Sequence, residues 1–315
     1  MRILVTGGAG FIGSNIVEEL IRRGEKVRVL DNFSTGRREN IEPFLKNIEL
    51  IEGDIRDYQL VVKAMRGIEV VIHEAALPSV PRSIKDPLTT CEVNVRGTLN
   101  ILQAAKNAGV KRVVFASSSS VYGESEILPK REDIPPNPLS PYAVSKLAGE
   151  KYCQVFQSIY NLSTVCLRYF NVFGPRQDPA SPYAAVIPRF ISLALEGKPL
   201  EIHGDGLQSR DFTYVRNVVQ ATILAAQGDK NVEGVINVAC GEKYSVLDIV
   251  RALERILKKK VKVYHTEPRK GDVRESLADI TRAKKILGYR VEVRFEEGLE
   301  RTVEYFKKIN TGLAK

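Results

Sequence analysis

Short apolar runs rich in β-branched residues alternate with longer amphipathic stretches through the first half of the chain. The runs predict β-strands at residues 3–6, 27–30, 49–51, 70–73, 112–116 and 164–169. The stretches between them carry apolar residues at i, i+3 and i+4, which predicts helices at residues 11–23, 58–65, 93–107 and 141–160. Because strands that alternate with helices form parallel sheets covered on both faces, the pattern predicts an α/β fold with a doubly wound parallel sheet.

The pattern changes after residue 172. A loop rich in proline and serine follows, with Pro175, Pro179 and Pro182, and short mixed strands and helices come next. Segments near residues 212–226 and 235–239 are strongly apolar again, so we expect them to rejoin the large sheet. We therefore predict two domains. Residues 1–172 with returning segments near 212–240 form the larger one, and residues 173–211 and 241–315 form a smaller α/β substrate-binding domain.

Composition narrows the function classes. Hydrophobic residues make up 43% and charged residues 27% of the 315, as in folded globular proteins. No run of about 18 apolar residues occurs, and the first strand begins after one basic residue, so we expect no membrane span, no secretory leader and a cytosolic location. The net charge of +9 is dispersed and tryptophan is absent, which disfavours a nucleic-acid partner. The four cysteines and three histidines have no metal-ligand spacing, so neither a metal site nor a disulfide framework is expected.

A glycine-rich turn directly follows the first predicted strand and leads into the first predicted helix. It contains Gly7, Gly10 and Gly13. Glycine is needed because a Cβ would block the tight turn and the close approach of the backbone to a pyrophosphate at the positive end of the helix. Asp31 ends the second strand, where it can accept the ribose hydroxyls and repel a 2′-phosphate. The pattern predicts a Rossmann-type site for NAD, although Arg37 and Arg38 nearby keep NADP open as an alternative.

A second group of chemistry-bearing residues begins the fourth predicted helix. Ser140 and Pro141 are typical of a helix start, which places Tyr142 and Lys146 four residues apart on one face. A nearby ammonium and a helix N-terminus both favour the phenolate, so we predict that the pKa of Tyr142 is lowered and that the phenol serves as a proton acceptor. The spacing alone is also typical of a plain amphipathic helix. The serine run 117–120 adds context because it follows the fifth strand, at the sheet edge where ligands of such folds bind.

Together these motifs resemble the extended short-chain dehydrogenase/reductase family, and within it the nucleotide-sugar 4-epimerases. The resemblance covers nearly the whole chain. It rests on these residues, in the family's order and spacing: Gly7, Gly10, Gly13, Asp31, the run 119–123, Tyr142, Lys146 and the run 168–171. The family's catalytic hydroxyl falls on Ser118. Related 4,6-dehydratases carry an Asp-Glu pair next, where this chain has Ser119 and Ser120, so the acid and base of a dehydratase are missing.

The resemblance implies an NAD-dependent isomerase that inverts C4 of a UDP-sugar through a transient 4-keto intermediate. Tyr142 takes the 4-hydroxyl proton through or beside Ser118, and hydride passes to NAD. The keto sugar then rotates and receives the same hydride on its other face. Because the sugar must turn, most of the substrate affinity is expected in the nucleotide diphosphate. A homodimer formed through a helix bundle is the family's expectation for oligomeric state.

The resemblance also implies individual contacts, with Ser118, Tyr142 and Lys146 catalytic. Cofactor contacts fall on Gly7, Gly10, Phe11, Ile12, Gly13, Asp31, Asn32, Asp54, Ile55, Ala75, Ala76, Asn94, Ser117, Tyr142, Lys146 and Tyr169. Substrate contacts fall on Ser79, Ser118, Tyr142, Asn171, Ala185, Val186, Glu201, His203, Arg210, Arg269, Asp272 and Ser276. Arginine suits the diphosphate because its planar group offers paired donors to phosphate oxygens. Asp54 is alternatively a simple turn residue, and the two arginines are alternatively surface residues.

Ser276 bears on which sugar is accepted. It stands where glucose/galactose-restricted relatives carry a bulky side chain, which implies room for an N-acetyl group at C2. Pro78 also departs from galactose-restricted members, which often have lysine there. The expected substrates are UDP-N-acetylglucosamine and UDP-N-acetylgalactosamine, together with UDP-glucose and UDP-galactose. Three alternatives stay open: an ordinary loop serine at 276, a UDP-glucuronate 4-epimerase or decarboxylase with a cationic contact for C6 that the sequence does not locate, and a non-catalytic NAD-sensing binding protein.

Overall fold

A computed structural model describes residues 1–179, 185–229, 232–268 and 274–310. The strands are β1 (Arg2–Thr6), β2 (Lys26–Asp31), β3 (Ile48–Glu52), β4 (Val70–His73), β5 (Arg112–Ser118), β6 (Ser163–Tyr169), β7 (Val172–Phe173), β8 (Leu200–His203), β9 (Ser209–Arg210), β10 (Thr213–Tyr214), β11 (Gly234–Val238), β12 (Tyr244–Ser245) and β13 (Val263–Thr266). The helices are α1 (Phe11–Arg22), α2 (Tyr58–Ala64), α3 (Val80–Lys85), α4 (Pro87–Cys91), α5 (Gly97–Asn107), α6 (Pro141–Tyr160), α7 (Val186–Leu195), α8 (Val215–Gln227), α9 (Val246–Leu257), α10 (Thr281–Leu287) and α11 (Phe295–Asn310).

The main sheet has seven strands in the order β11-β6-β5-β4-β1-β2-β3, and every neighbouring pair is parallel. The order runs outward in both directions from β1 and β4, as in a doubly wound sheet. The predicted fold class is therefore confirmed. All six predicted strands occur, with bounds that differ by no more than two residues from the sequence pattern.

Hydrophobic cores cover both faces of the sheet. Ile3 and Val5 of β1 pack into one layer with α1 and α8, whereas Leu4 packs into the other with α2 and α5. Neighbouring positions of one strand thus face opposite layers, which is why the central strands are apolar throughout. Burial of each such side chain contributes about 1.5–3 kcal/mol.

One predicted helix is longer than the sequence pattern suggested. The helix expected at 93–107 begins upstream as α4, passes through a π-helical turn at Glu92–Arg96 and continues as α5. Asp86 starts it because its side chain accepts a hydrogen bond from the backbone N–H of Thr89 at 3.0 Å. The same capping chemistry produces α3, since the Ser79 hydroxyl accepts from the N–H of Arg82 at 3.1 Å.

The region after β6 contributes one strand to the main sheet and forms three two-stranded sheets outside it. As expected, the segment at 235–239 rejoins the main sheet, where β11 pairs with β6, and α8 packs against α1. Outside that sheet, β8 pairs with β13, β9 with β12 and β7 with β10. The division into two domains stays a prediction. Among the helices in the described parts of the chain, none combines the length and apolarity needed to cross a membrane.

Candidate active site

A cleft of about 1300 Å³ opens at the carboxyl ends of the central strands. The glycine turn after β1 lines one part of it, and Ser118, Tyr142 and Lys146 line another. Ligands of doubly wound sheets bind at this edge, because the loops on either side of the switch in strand order diverge there. The glycine turn and the three predicted catalytic residues therefore meet at one place.

The glycine turn leaves no room for a side chain at Gly7 or Gly13. Gly7 has φ +69°, and a Cβ on Gly13 would lie 2.1 Å from the carbonyl oxygen of Gly7. A Cβ on Gly10 would meet only that oxygen, at 3.1 Å, and would otherwise project into open space. This is a cradle that a phosphate group can approach at the start of α1, where the helix dipole is positive. The turn fits a dinucleotide.

Asp31 closes the turn from the second strand. Its two carboxylate oxygens accept backbone hydrogen bonds from Ala9 and Phe33, each at 2.8 Å. Burial raises the pKa of Asp31, and these two bonds oppose the rise. Each oxygen keeps a further lone pair, so the fixed carboxylate can still accept from ribose hydroxyls.

Asn32 and Asp54 form the neighbouring wall. The Asn32 amide donates to the Asp54 carboxylate at 2.8 Å, and Arg56 forms a salt bridge with the same carboxylate at 2.7 Å. The hydrogen bonds from Arg56 hold the pKa of Asp54 below its usual range. Asp54 is therefore an ionised acceptor on the cleft surface.

The two arginines that kept NADP open have carboxylate partners of their own. Arg38 bonds Glu52 at 2.6 Å, and Arg37 lies within 4 Å of both Glu39 and Asp178. Both arginines are thus paired with carboxylates and not directed at a 2′-phosphate. Together with the buried Asp31, this arrangement fits NAD.

Tyr142 and Lys146, the predicted catalytic pair, both lie on α6, as their spacing predicted. The Ser140 hydroxyl caps the helix by accepting from the N–H of Ala143 at 3.2 Å. One turn further on, the Lys146 ammonium donates to the carbonyl of Ala116 at 2.7 Å and lies 5.9 Å from the centre of the Tyr142 ring. Burial lowers the pKa of Lys146 to about 8, while nearby carboxylates oppose that decrease.

The predicted direction of the Tyr142 pKa is wrong for the ligand-free chain. Burial raises the pKa of Tyr142 to about 12, and a hydrogen bond with Ser118 only partly opposes the rise. The reason is that burial destabilises the phenolate more than the neighbouring groups stabilise it. The ammonium of Lys146 is hydrogen-bonded to a backbone carbonyl, and the negative charge of Glu74 raises the pKa of Tyr142 further. In the ligand-free chain the phenol of Tyr142 is therefore protonated and neutral at pH 7.

Ser117 belongs to a buried ion-pair network beneath the cleft. Its hydroxyl donates to Glu150 at 2.5 Å, and Arg168 donates two hydrogen bonds to the same carboxylate, both at 2.8 Å. Arg168 and Glu150 are each about 2% exposed. This network holds β5, β6 and α6 relative to one another, and β5 and α6 carry the predicted catalytic residues.

Residues predicted to contact the substrate divide between two places. Ser79, Asn171, Ala185, Arg210 and Ser276 line the cleft. A smaller pocket of about 280 Å³ also borders Asn171, Ala185 and Arg210 and is lined in addition by Val186, Glu201 and His203. Arg269 and Asp272 lie outside the described residues.

The small pocket has polar groups at its wall. Arg189 forms a salt bridge with Glu201 at 2.6 Å, and the Thr266 hydroxyl lies 2.8 Å from Nδ1 of His203. The other ring nitrogen of His203 is buried and has no hydrogen-bond partner in the described ranges. A planar polar ligand group would satisfy it.

Among the predicted cofactor contacts, Phe11, Ile12, Ile55, Ala75, Ala76 and Tyr169 also line the cleft. Asn94 does not line it. Its side chain is buried in the π-helical turn, where the amide oxygen accepts from the N–H of Leu77 at 2.8 Å and the amide nitrogen donates to Ser145 at 3.0 Å. Asn94 thus ties the loop at 77 to α6, and its contact with a coenzyme stays a prediction.

Among the cleft residues that the sequence did not indicate, Glu74 and Lys130 carry ionisable groups that are largely withdrawn from solvent. Glu74, directly after β4, accepts a hydrogen bond from the Tyr169 hydroxyl at 2.8 Å, and burial raises the pKa of Glu74 to about 7. Lys130 is 2% exposed, and its ammonium donates to the carbonyl of Ser125. Glu74 follows a strand at the ligand-binding edge, so the rule that found the serine run would also have found it. Lys130 gave no such signal, because loop packing alone brings it to the cleft.

Comparison with known proteins agrees with this geometry. Residues 3–239 match the model of the NAD dependent epimerase/dehydratase family. A putative UDP-glucose 4-epimerase of Methanocaldococcus jannaschii is 40% identical over 310 residues, which cover 98% of this chain and 99% of that protein.

Two solved structures superpose over nearly their full length. The UDP-N-acetylglucosamine 4-epimerase of Methanobrevibacter ruminantium in complex with UDP-N-acetylmuramic acid has a TM-score of 0.94 and 43% identity, with 98% of each chain covered. The Thermus thermophilus UDP-glucose 4-epimerase in complex with NAD has a TM-score of 0.90 and 41% identity, with 98% of this chain and 99% of that chain covered. This chain belongs to the NAD dependent epimerase/dehydratase family.

Proposed function

We propose that this chain is a UDP-sugar 4-epimerase that uses NAD to interconvert UDP-N-acetylglucosamine with UDP-N-acetylgalactosamine, and UDP-glucose with UDP-galactose. The observation that carries the proposal is the meeting of Tyr142, Ser118 and Lys146 in the same cleft as the glycine turn. A proton-transfer group and a dinucleotide cradle on one sheet edge are the parts that reversible oxidation of a sugar carbinol requires.

Tyr142 is the proton-transfer group in this proposal. When bound, NAD supplies a reversible acceptor for the hydride of the sugar carbinol. At pH 7 a phenol with a pKa of about 12 is ionised only at a cost of about 7 kcal/mol. Ser118 hydrogen-bonds the phenol and so connects it to the reacting hydroxyl, while the ammonium of Lys146 stabilises the phenolate as it forms.

The substrate-side residues support a nucleotide sugar. Arg210 borders both the cleft and the small pocket, so it stands between the predicted base and sugar positions, where a diphosphate would lie. Glu201 and His203 offer polar contacts to a pyrimidine in the small pocket. Ser276 lines the sugar end of the cleft with a small side chain, which leaves room for an acetamido group.

A substrate panel tests the proposal. The purified protein is incubated with each of the four sugar nucleotides, and products are separated by chromatography. We expect C4 inversion of both pairs, and a loss of at least about 10²-fold in kcat for Tyr142→Phe with an unchanged fold. Absence of inversion on all four substrates, or turnover of Tyr142→Phe at the normal rate, would reject it.

One observation favours a second candidate, a UDP-glucuronate 4-epimerase or decarboxylase. Such an enzyme needs a cation for the C6 carboxylate, and Lys130 is a buried ammonium at the cleft with no carboxylate within 4 Å in the described ranges. Burial lowers the pKa of Lys130, so an anionic ligand there would gain from neutralising it. With UDP-glucuronate added to the panel as a fifth substrate, turnover of that substrate alone, lost in Lys130→Met, would favour this candidate over the first.

The proposal includes a homodimer. Val144, Val155 and Ile159 lie on one face of α6 and are 44–66% exposed, and Ile84 and Leu88 on the adjoining α3 and α4 are 65% and 79% exposed. Apolar side chains clustered on neighbouring helices favour burial against another surface. Sedimentation equilibrium should give twice the monomer mass, and an Ile159→Asp change should lower it; a monomer at micromolar concentration would contradict the dimer.

A further inference from the structure

Glu74 is a carboxylate in the cleft to which the proposed mechanism gives no role. Its backbone N–H donates to the carbonyl of Thr6 at 3.1 Å, which continues the line of β4 one residue beyond His73. His73 pairs with Phe115 in the parallel register of β4 and β5, so Glu74 stands beside Ala116. Neighbouring strands lie about 4.8 Å apart.

The ammonium of Lys146 is held at the same point. It donates to the carbonyl of Ala116 at 2.7 Å, and both Lys146 and Glu74 line the cleft. Glu74 thus stands beside the residue of β5 whose carbonyl holds the ammonium. The two charged groups form no ion pair within 4.0 Å, but the Coulomb interaction between them raises the pKa of Lys146 and lowers that of Glu74. Each partner favours the charged form of the other.

The other carboxylate near Lys146 is already neutralised. Glu150 accepts two hydrogen bonds from Arg168 and one from Ser117 in the buried network beneath the cleft. Its negative charge is balanced by the guanidinium, so its net effect on Lys146 is smaller than that of an unbalanced carboxylate at similar distance.

The remaining titratable groups around Glu74 are uncharged at neutral pH. Burial lowers the pKa of His73, at the end of β4, to about 3. Burial also raises the pKa of Tyr142 on α6 to about 12 and that of Tyr169 on β6 well above its usual range. The facing residues of β1 and α8 are Thr6 and Thr222, which carry no charge. Because the pKa of Glu74 is about 7, Glu74 is therefore, above that pH, the ionised carboxylate near Lys146 that no other cation in the described part of the chain balances.

Glu74 is also built to gain and lose a proton without breaking its surroundings. The Tyr169 hydroxyl lies 2.8 Å from Glu74 and 2.7 Å from the Thr222 hydroxyl, which in turn lies 2.8 Å from the carbonyl of Val218. With Glu74 ionised, hydrogen bonds run from Thr222 to Tyr169 to Glu74. With Glu74 protonated, three hydrogen bonds can run from Glu74 through Tyr169 and Thr222 to the carbonyl of Val218, because the single Thr222 proton then points to Val218 and not to Tyr169. Both forms satisfy every group.

We propose that Glu74 is a positioning residue of the catalytic pair, the counter-ion that keeps Lys146 an ammonium through the neutral pH range. It rests on the proposed function only for the task of Lys146, which is to stabilise the Tyr142 phenolate. The same negative charge disfavours that phenolate directly, so Glu74 also holds Tyr142 protonated in the ligand-free chain. The arrangement keeps the pair charged on the amine and neutral on the phenol before ligands bind.

The test is the titration of Lys146 in the ligand-free protein by NMR of ¹³Cε-labelled lysine, with the resonance assigned by its loss in Lys146→Met. Glu74→Gln keeps the shape and hydrogen bond but removes the charge. We expect the Lys146 midpoint to fall by about one pH unit or more. Thr222→Val is the matched control, because it shortens the hydroxyl chain and leaves both charges in place, and its midpoint should stay within a few tenths of a unit.

An unchanged midpoint in Glu74→Gln would overturn the proposal. If Glu74→Gln does not fold, Glu74→Asp serves instead, because it keeps the charge on a shorter side chain. The Lys146 midpoint in Glu74→Asp should lie near the original value. A fall of a full pH unit in Glu74→Asp would also overturn the proposal. In the assay, the alkaline limb of kcat/KM should move to lower pH in Glu74→Gln. Because the titration needs no substrate, a protein that inverts none of the four sugars yet shows the shift would reject the proposed function and leave this inference standing.

Discussion

The glycine turn offers a matched pair of substitutions with opposite consequences. A Cβ added at Gly13 would lie 2.1 Å from the oxygen of Gly7 and 2.9 Å from two further backbone atoms. All three distances are below 3.0 Å, the shortest separation that Cβ atoms normally show. Gly13→Ala therefore forces a backbone shift of about 1 Å in a turn fixed by the register of β1 with β2 and β4. Overpacking of this kind costs about 1–3 kcal/mol and occasionally more.

Gly10→Ala tests the cradle instead of the packing. Its Cβ would meet a single atom at 3.1 Å, so a displacement of a few tenths of an ångström suffices, and the methyl group projects into the cleft where a pyrophosphate would approach. We expect the melting temperature to fall by roughly 2–12 °C for Gly13→Ala and by a small fraction of that for Gly10→Ala, because about 1 kcal/mol corresponds to 2–4 °C in a large single domain.

Calorimetry and titration of coenzyme-free protein with NAD measure the two effects separately. Gly10→Ala should nearly keep its melting temperature and weaken NAD binding at least tenfold. Gly13→Ala should show both a lower melting temperature and weaker NAD binding. Equal melting temperatures for the two variants would refute the packing argument. Unchanged NAD affinity in Gly10→Ala would refute the assignment of the turn as the pyrophosphate cradle.

Three other changes probe the sugar end of the cleft, the buried ion-pair network and an acid-sensitive cluster on α1. Ser276→Tyr should suppress turnover of the acetylated pair more than that of the plain pair, and equal loss on both in steady-state kinetics would remove the steric argument. Glu150→Gln should cost about 3–5 kcal/mol in chemical denaturation because it strands the buried Arg168, whereas Asp133→Asn, which breaks an exposed pair, should change little; similar losses would contradict this contrast. Hydrogen bonds from Arg22 lower the pKa of Glu19 from 4.5 to about 2, so stability present above pH 4.5 should be lost as pH falls towards 2, and Glu19→Gln should flatten that dependence in urea melts.

The central strands and the glycine turn could be predicted because local sequence determines them. Apolar runs such as 70–73 and 112–116 are buried on both faces, so they leave a continuous signal with few alternatives. The turn at Gly7 needs residues without Cβ, and that requirement is visible in the sequence itself. The helix that carries Tyr142 and Lys146 could be predicted for the same reason, since residues four positions apart on a helix share one face.

Properties that depend on packing could not be predicted in this way. The pKa of Tyr142 is set by burial among elements distant in sequence, so the spacing to Lys146 indicated proximity but gave the wrong sign. Lys130 reaches the cleft because its segment bonds to residues 277–279, some 150 positions later. The start of the helix at Pro87 was missed because its signal is a single cap, Asp86, ahead of an irregular π-helical turn.

The bonds between Lys130 and the segment after Ser276 have a mechanical consequence. The N–H of Lys130 donates to Leu277 at 2.7 Å, and its carbonyl accepts from Asp279 at 2.9 Å, while the N–H of Ser276 itself donates to Ser209 at 3.0 Å. Since the N–H of Ser209 also donates to the carbonyl of Arg274 at 3.0 Å, the backbone is hydrogen-bonded on both sides of position 276, and the Cα of whatever residue stands there keeps its place in the cleft wall. In the function proposed above, a substitution at this position would therefore change the size of sugar that the cleft accepts, while the backbone around it stays in place.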